Sequence, residues 1–462
     1  MKTTQTTGVK TLLGDPKKAI IKLSIPMIFA MLIHTLYNVI DAIWVAGLGS
    51  DALAAVGFTF PFFILAMGLS NGVGIGGSSA ISRRIGAKDK QGADTIAIHT
   101  LMLVGIITVV YTIPLFLFAE PLFILMGAGK TLSLTLAYSR IIFIGSFFLF
   151  FSNVANAILR GEGDAKRAMY AMAVGGILNI ILDPIFIYTL DMGIAGAAWA
   201  TILSLGVSSA LLCYWLLFKQ DTYVDFQFKD FQFHKDMLKE IFSVGFPAAV
   251  QQMSMSLSMV ILNLIIVFVS DTDGVAVYTT GWRIVMIAVL PLLGIATAIV
   301  SVSGAAYGEG AYDKLNISHL YAIKIGLIVE IILGIVTFIF APQIISVFTQ
   351  SEGTVQIADD LILFTRIMVL FYPGASLGML SASLLQGIKH GFIALVSTIL
   401  RSLLFTTLFA ILFAIVLGMN LIGIWFGIVI ANVSGGVISY FWARKIIKDL
   451  LAKKTPQSVA AS

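Results

Sequence analysis

The sequence predicts an all-α polytopic membrane protein, with about twelve transmembrane helices in two parallel six-helix repeats, an N-lobe and a C-lobe, around a central cavity. Three observations predict it. Of the 462 residues, 58% are apolar and only 11% are Asp, Glu, Lys or Arg, under half the charged share of a soluble domain. About twelve stretches reach the roughly 20 apolar residues that a span needs. The two halves of the chain also share landmarks, described below. A mean hydropathy of +0.98, with 42 glycines spread through apolar runs, excludes disorder and collagen. The single cysteine, Cys213, leaves no internal disulfide and no cysteine-built metal cage.

The spans fall near 19–47, 53–81, 95–119, 134–159, 168–190, 193–218, 239–269, 275–306, 317–340, 359–386, 391–418 and 421–443. The first run is too long for a cleavable signal and stays as span one. Basic residues then orient the chain. The N-terminal tail (Lys2, Lys10, Lys17, Lys18, Lys22) and the connections after spans two (Arg83, Arg84, Lys88, Lys90), four (Arg160, Lys166, Arg167) and six (Lys219, Lys229, Lys235, Lys239) are all basic. Lys314, Lys389 and the tail from Arg444 to Lys454 continue the series, whereas the odd connections offer only Lys130. By the positive-inside rule both termini are cytoplasmic, in a multi-pass protein of the cell (cytoplasmic) membrane. Within the spans, Lys324 is expected to snorkel to the cytoplasm, and Arg140, Arg283, Arg366 and Arg401 to lie near span ends or in interhelical pairs.

The longest polar stretch between spans, KQDTYVDFQFKDFQFHKDMLK from Lys219, divides the chain. It gives an N-lobe over 1–218 (spans one to six), a cytoplasmic amphipathic linker over 219–238, a C-lobe over 239–445 (spans seven to twelve) and a tail over 446–462. Across the divide Pro26 aligns with Pro247, Gly86 with Gly308, Leu159-Arg160-Gly161 with Leu385-Gln386-Gly387, and Gly196 with Gly423, the offset drifting slowly one way. That is how a duplicated unit with small loop insertions behaves. An even number of spans per copy makes the copies parallel, as in transporters that rock two lobes about a central site.

Carboxylates within spans cost roughly 2.5–3.5 kcal/mol each, so they are functional candidates. Asp41 lies roughly 9 Å from the outer end of span one, Asp183 roughly 10 Å from that of span five, and Thr201 about 12 Å into span six, at 1.5 Å per residue. His34, Tyr37, Asn38 and Asp41 share one helical face, and Asn179 precedes Asp183 by a turn. Pro184 removes the donor for the Ile180 carbonyl, leaving an oxygen suited to a cation. On span four Asn153 and Asn156 repeat the helical spacing; their alternative role is interhelical hydrogen-bond glue. The second half repeats neither Asp41 nor Asp183. Span seven offers Gln251, Gln252, Met253, Met255 and Met259, a set suited either to core packing or to a substrate wall that accepts varied shapes. Lys324 and Glu330 on span nine do not share a face.

Enzyme chemistry is not expected, since no nucleophile and base are placed together and neither H-E-x-x-H nor G-x-S-x-G occurs. Gly72, Gly74 and Gly77 spell a dinucleotide motif without its strand, and are read as close-packing positions. Gly129-Lys130-Thr131 lacks the first glycine of a phosphate loop, so ATP is not expected to bind there. Neither a nucleic acid nor any cofactor is implied.

Leu23-Ser24-Ile25-Pro26, Tyr37-Asn38 through Asp41, Gly47-Leu48-Gly49, Leu53-Ala54-Ala55-Val56-Gly57, Arg160-Gly161-Glu162-Gly163-Asp164-Ala165 and Asn179 through Asp183-Pro184 together resemble the multidrug and toxic compound extrusion (MATE) family, in its DinF-like branch with archaeal members. The resemblance covers about residues 15–445. It implies a two-lobe antiporter that expels organic cations and drugs in exchange for H⁺ or Na⁺ by alternating access, working as a monomer. By position, Asp41, Tyr37, Asn179, Asp183 and Thr201 form the coupling-cation site, with a sodium ion placed at Asp183, Asn179 and Thr201. The resemblance also implies Asn153 and Asn156 in the same polar cavity and Pro26 as the flexion point; His34, Asn38, Gln252, Met255 and Met259 are the further substrate-cavity candidates read from the residues. Another branch carries carboxylates on spans seven and ten; this chain has none there, which argues against a C-lobe sodium site. The alternative within the superfamily is a flippase for a lipid-linked precursor, whose anionic head group calls for basic residues in the cavity.

Overall fold

The structure, a computed structural model, describes residues 6–219, 221–226, 232–270, 272–349 and 356–459. The linker residues 220 and 227–231 and the tail residues 460–462 fall outside the described set. Among the described residues eleven helices are long and apolar enough to cross a membrane, and a bent pair supplies a twelfth span. We label them α1 (Pro16–Ala46), α2 (Ser50–Gly86), α3 (Lys90–Leu117), α4 (Leu132–Gly161), α5 (Ala165–Pro184), α6 (Gly193–Cys213), α7 (Lys235–Val269), α8 (Thr272–Gly308), α9 (Tyr312–Ile339), α10a (Ala358–Met368) with α10b (Phe371–Gly387), α11 (Gly391–Val416) and α12 (Asn420–Val459).

Span ten departs from the single stretch expected over 359–386. Its two parts meet at 50°. Pro373 explains the break: its ring excludes the carbonyl four residues earlier, that of Val369. That carbonyl accepts the Tyr372 N–H instead, at 3.3 Å, and the helix restarts. Elsewhere the ladder absorbs its prolines, with Pro26, Pro61, Pro114, Pro247 and Pro291 all inside continuous helices.

Packing divides the chain into two units. One contains residues up to Gly14 and Ile25–Ala249; the other contains Asp15–Ser24 and everything from Val250. The division therefore cuts through α1 and α7 rather than through the linker. In each of these helices the cut lies within a turn of a proline, Pro26 or Pro247, the pair that heads the sequence repeat.

In the first unit the glycine positions of α2 admit neighbouring helices at close range. A Cβ on Gly72 would stand 2.7 Å from the Gly245 carbonyl oxygen, one on Gly74 2.9 Å from the Ala157 Cβ, and one on Gly77 2.7 Å from the Thr100 hydroxyl. The close-packing reading of these glycines accounts for all three.

The turn between α4 and α5 anchors both the N-terminal segment and the linker. Gly163 takes φ +84° there, and its Cβ position lies 2.6 Å from the Gly8 carbonyl oxygen of the short helix Thr7–Leu13. Any side chain would be strained and would expel that helix. Beside it Glu162, 1% exposed, accepts the backbone N–H groups of Tyr223 and Val224 through Oε2 at 2.9 and 3.0 Å. Arg167 donates to Asp221 at 2.6 Å, and the Asp225 N–H reaches Asp94 at 2.7 Å. The described linker residues thus lie along the basic ends of the helices, held by side-chain acceptors rather than by a helix of their own.

Burial pushes the Glu162 carboxyl up to about 8, against the opposing pull of the two N–H groups. Once undocked, it returns to the ordinary glutamate value near 4.5. The docked state therefore holds the proton better. Docking is strongest below about pH 4.5 and weakens as pH rises towards 8, by up to about tenfold per pH unit. Amide-exchange protection at Tyr223 and Val224, corrected for intrinsic rates, should fall over that window in the native protein and stay flat in Glu162→Gln. Equal protection at pH 5 and pH 8 in the native protein would contradict this account.

In the second unit Arg401 is 5% exposed. It sits on a π-helical turn, Leu400–Phe405, and donates to Asn432 Oδ1 on α12 at 3.3 Å, an interhelical pair of the expected kind. Arg366 stacks over the Phe338 ring at 5.4 Å, and Arg140 stands 3.9 Å from Glu120.

Candidate functional site

Within the first unit α1 and α5 bring the two intramembrane aspartates together. A bare patch on α5 permits the approach: Tyr37 Cδ1 stands 3.1 Å from where a Cβ on Gly176 would be. Beyond Pro184 the backbone widens into a π-helical turn, Ile185–Thr189, of the kind that often marks functional sites. From this turn the Tyr188 hydroxyl donates to the Trp44 carbonyl at 2.7 Å, with the two rings in a T-shaped pair at 6.0 Å. The C-terminal end of α1 is thereby tied to the turn that follows Asp183.

Asp183 is fully buried and Asn179 nearly so. Asn179 Nδ2 donates to Asp183 Oδ1 at 3.2 Å. Asp183 Oδ2 and Asn179 Oδ1 receive no hydrogen bond from any N–H or hydroxyl. The half-buried Asp41 carboxyl lies within hydrogen-bonding reach of Asp183. Two ionised carboxylates have no hydrogen to share and repel, so such a contact needs a proton or a cation between them. Charge from both aspartates also reaches the phenol of Tyr37.

His34 sits a turn below Tyr37, its Nε2 3.3 Å from the Tyr37 hydroxyl and its Nδ1 3.0 Å from Asn38 Nδ2. Thr201 on α6 donates its hydroxyl proton to the Ala197 carbonyl one turn earlier, at 3.0 Å. The orphaned oxygens of Asp183 and Asn179, with the Asp41 carboxyl beside them, fit a proton or a sodium ion. Tyr138 on α4, within range of the charge on both aspartates, is absent from the sequence-based set. Its depth, a turn inside the outer end of span four, was the available signal.

The other candidates lie elsewhere. Asn153 and Asn156 are roughly 22 Å or more along α4 from Tyr138, at 1.5 Å per residue. Asn153 Nδ2 faces the Ser70 hydroxyl at 3.5 Å and the Met67 sulfur at 3.6 Å. The buried Asn156 donates to the Ser152 carbonyl, and its Oδ1 is unpartnered. In the second unit Met255 and Met259 are 39% and 36% exposed. Gln252 is half-buried on the same helix. The neighbouring Gln251 donates to Thr398 at 2.6 Å and accepts from Gln386 at 2.9 Å.

Twelve apolar spans in two matched halves, with paired carboxyl groups held inside the apolar layer, define a polytopic membrane transporter. The chain belongs to the MatE family, whose model matches it twice, over residues 26–185 and 247–412. The matches start at Pro26 and Pro247, the prolines that head the repeat. Multidrug export protein MepA of Staphylococcus aureus (strain N315) is 27% identical over 389 residues, 83% of this chain and 84% of that protein. An outward-facing multidrug resistance MATE transporter of the MOP superfamily superposes with a TM-score of 0.94 at 47% identity, covering 97% of this chain and 99% of the other. A MOP superfamily transporter from Pyrococcus furiosus Vc1, whose reversed binding-pocket polarity suggests a different function, gives 0.93 at 47% identity over 96% and 99%.

Proposed function

We propose that the protein is a secondary antiporter of the cell membrane that exports organic cations, drugs among them, in exchange for H⁺ or Na⁺. The contact between Asp41 and Asp183 carries this reading. A pair that needs one positive charge between its carboxyl groups can exchange an inbound ion for a cationic substrate. Each charge moved is worth about 2.3 kcal/mol per 100 mV, so ATP is not required. The names of the relatives support drug-like substrates. A lipid-linked anion would call for basic groups here, and the pocket is acidic. The basic tails and even connections support cytoplasmic termini. Dye efflux from inverted vesicles, driven in turn by a pH gradient and by a sodium gradient, tests the proposal; no efflux under either gradient would refute it.

Alternating access requires α1 to flex, and Pro26 is placed for it. Pro26 has no N–H to give the Lys22 carbonyl, and α1 passes from one packing unit to the other beside it, between Ser24 and Ile25. Pro26→Ala should slow dye turnover at least about tenfold, a barrier rise of about 1.4 kcal/mol, with dye affinity nearly unchanged. Native turnover in reconstituted vesicles would remove Pro26 from the mechanism.

A further inference from the structure

The second unit buries a carboxyl group that the proposed exchange does not use. Glu330 on α9 is 0% exposed, and neither of its oxygens has a hydrogen-bond partner. Glycines one turn away on either side bring α10b close. A Cβ on Gly326 would meet the Ser376 oxygen at 3.4 Å, and one on Gly334 would meet Tyr372 Cδ2 at 3.5 Å. Tyr372 and Ser376 are themselves fully buried, and their hydroxyl groups are unpartnered too. The charge of Glu330 is felt at the Tyr372 phenol, with the Thr337 side chain beside it.

Unpartnered polar oxygens on facing helices of a buried interior need an explanation. An ionised carboxylate with no donor and no counter-charge is costly. Among the described residues no charged side chain of α8, α10a, α10b or α12 acts on Glu330; Tyr372 is the titratable group that faces it. The break between α10a and α10b sets Tyr372 in the first turn of a restarted helix. Discontinuous helices of this kind build ion sites in transporters. Glutamine would fill the same space without a titratable proton.

We propose that Glu330, Tyr372 and Ser376 form a proton-binding site in the second unit, additional to the Asp41–Asp183 pair. A proton from bulk water adds to a Glu330 carboxyl oxygen, a side-chain rotation brings the new O–H to a hydroxyl oxygen of Tyr372 or Ser376, and release returns the proton to water. Only the O–H bond forms and breaks. As a second coupling site this rests on the antiporter reading; as a proton site it does not.

The test is the infrared carbonyl band of protonated carboxylic acids, followed against pH on the full chain in lipid nanodiscs. In the native protein one component of the band should titrate and vanish in Glu330→Gln, yet persist in Asp41→Asn/Asp183→Asn. Tyr372→Phe, which keeps the carboxyl, should move the midpoint of that component by at least about one pH unit. In vesicles Glu330→Gln should exchange one proton fewer per dye. A titrating Glu330 band without dye efflux under either gradient would uphold the proton site and refute the antiporter. A band unchanged by Glu330→Gln, one that never titrates, or one displaced by sodium would overturn the proposal, as would a midpoint unmoved by Tyr372→Phe.

Discussion

Asp183→Asn should reduce gradient-driven dye efflux to the level of empty vesicles while dye binding survives. The asymmetry between the two aspartates follows from their surroundings. Asp183 is fully buried, has one oxygen occupied by Asn179 and the other unpartnered, and lies where Pro184 withholds a donor from the Ile180 carbonyl. In the proposed exchange those oxygens would hold the desolvated ion. An amide at this position cannot ionise, so the charge that the proposed inbound ion would neutralise is gone. Asp41 is half-buried on the face shared with His34 and Tyr37, which places it to meet an arriving cation. Asp41→Asn should therefore weaken dye binding by roughly tenfold or more, the value of one charge-assisted contact, and depress efflux with it. Equilibrium dye binding and gradient-driven efflux on both variants separate the roles. Full efflux by Asp183→Asn would refute the coupling assignment, and native dye affinity in Asp41→Asn would refute the substrate contact.

The pair was legible because the apolar layer makes a carboxylate rare and its depth can be counted from the span ends. Asp41 and Asp183 are far apart in sequence, yet equal depth on spans one and five was enough to expect them together. Tyr138 escaped because a tyrosine near a span end is ordinary. Glu330 was visible as a charge on span nine, but its burial was not. A helix apolar on every side does not announce which face lies inside; the burial of Glu330 and the Gly326 and Gly334 contacts show it. Pro373 was as visible as Pro26, but sequence does not separate a proline that bends a span from one that breaks it. That depends on whether the freed carbonyl finds another donor, as Val369 does in the Tyr372 N–H.

Loss of Glu240 should be among the most destabilising single changes in the first unit. Its carboxylate holds two arginines at the end of α2: Arg83 at 3.2 Å and Arg84 at 2.7 Å, with the Arg83 and Glu240 side chains 6% and 11% exposed. Arg84 also pairs with Asp89 at 2.7 Å, at the capped start of α3. The carboxylate thus ties the beginning of α7 to the turn between α2 and α3. Removing one member of a buried ion group leaves the others charged and desolvated, which costs more than the pair contributed. Here two guanidinium groups would be left facing the gap. Glu240→Ala should cost about 3 kcal/mol, at the lower end of the range for breaking buried pairs because Arg84 keeps Asp89. The thermal midpoint in detergent should fall by roughly 5 °C. Removing both buried members together, Arg83→Met with Glu240→Leu, replaces the charges with apolar volume and should recover most of the loss. The single and double variants form the decisive comparison: a double variant as unstable as Glu240→Ala would show that the packing of α7 on α2, through Gly245 and Gly72, and not the charges, sets the stability of this junction.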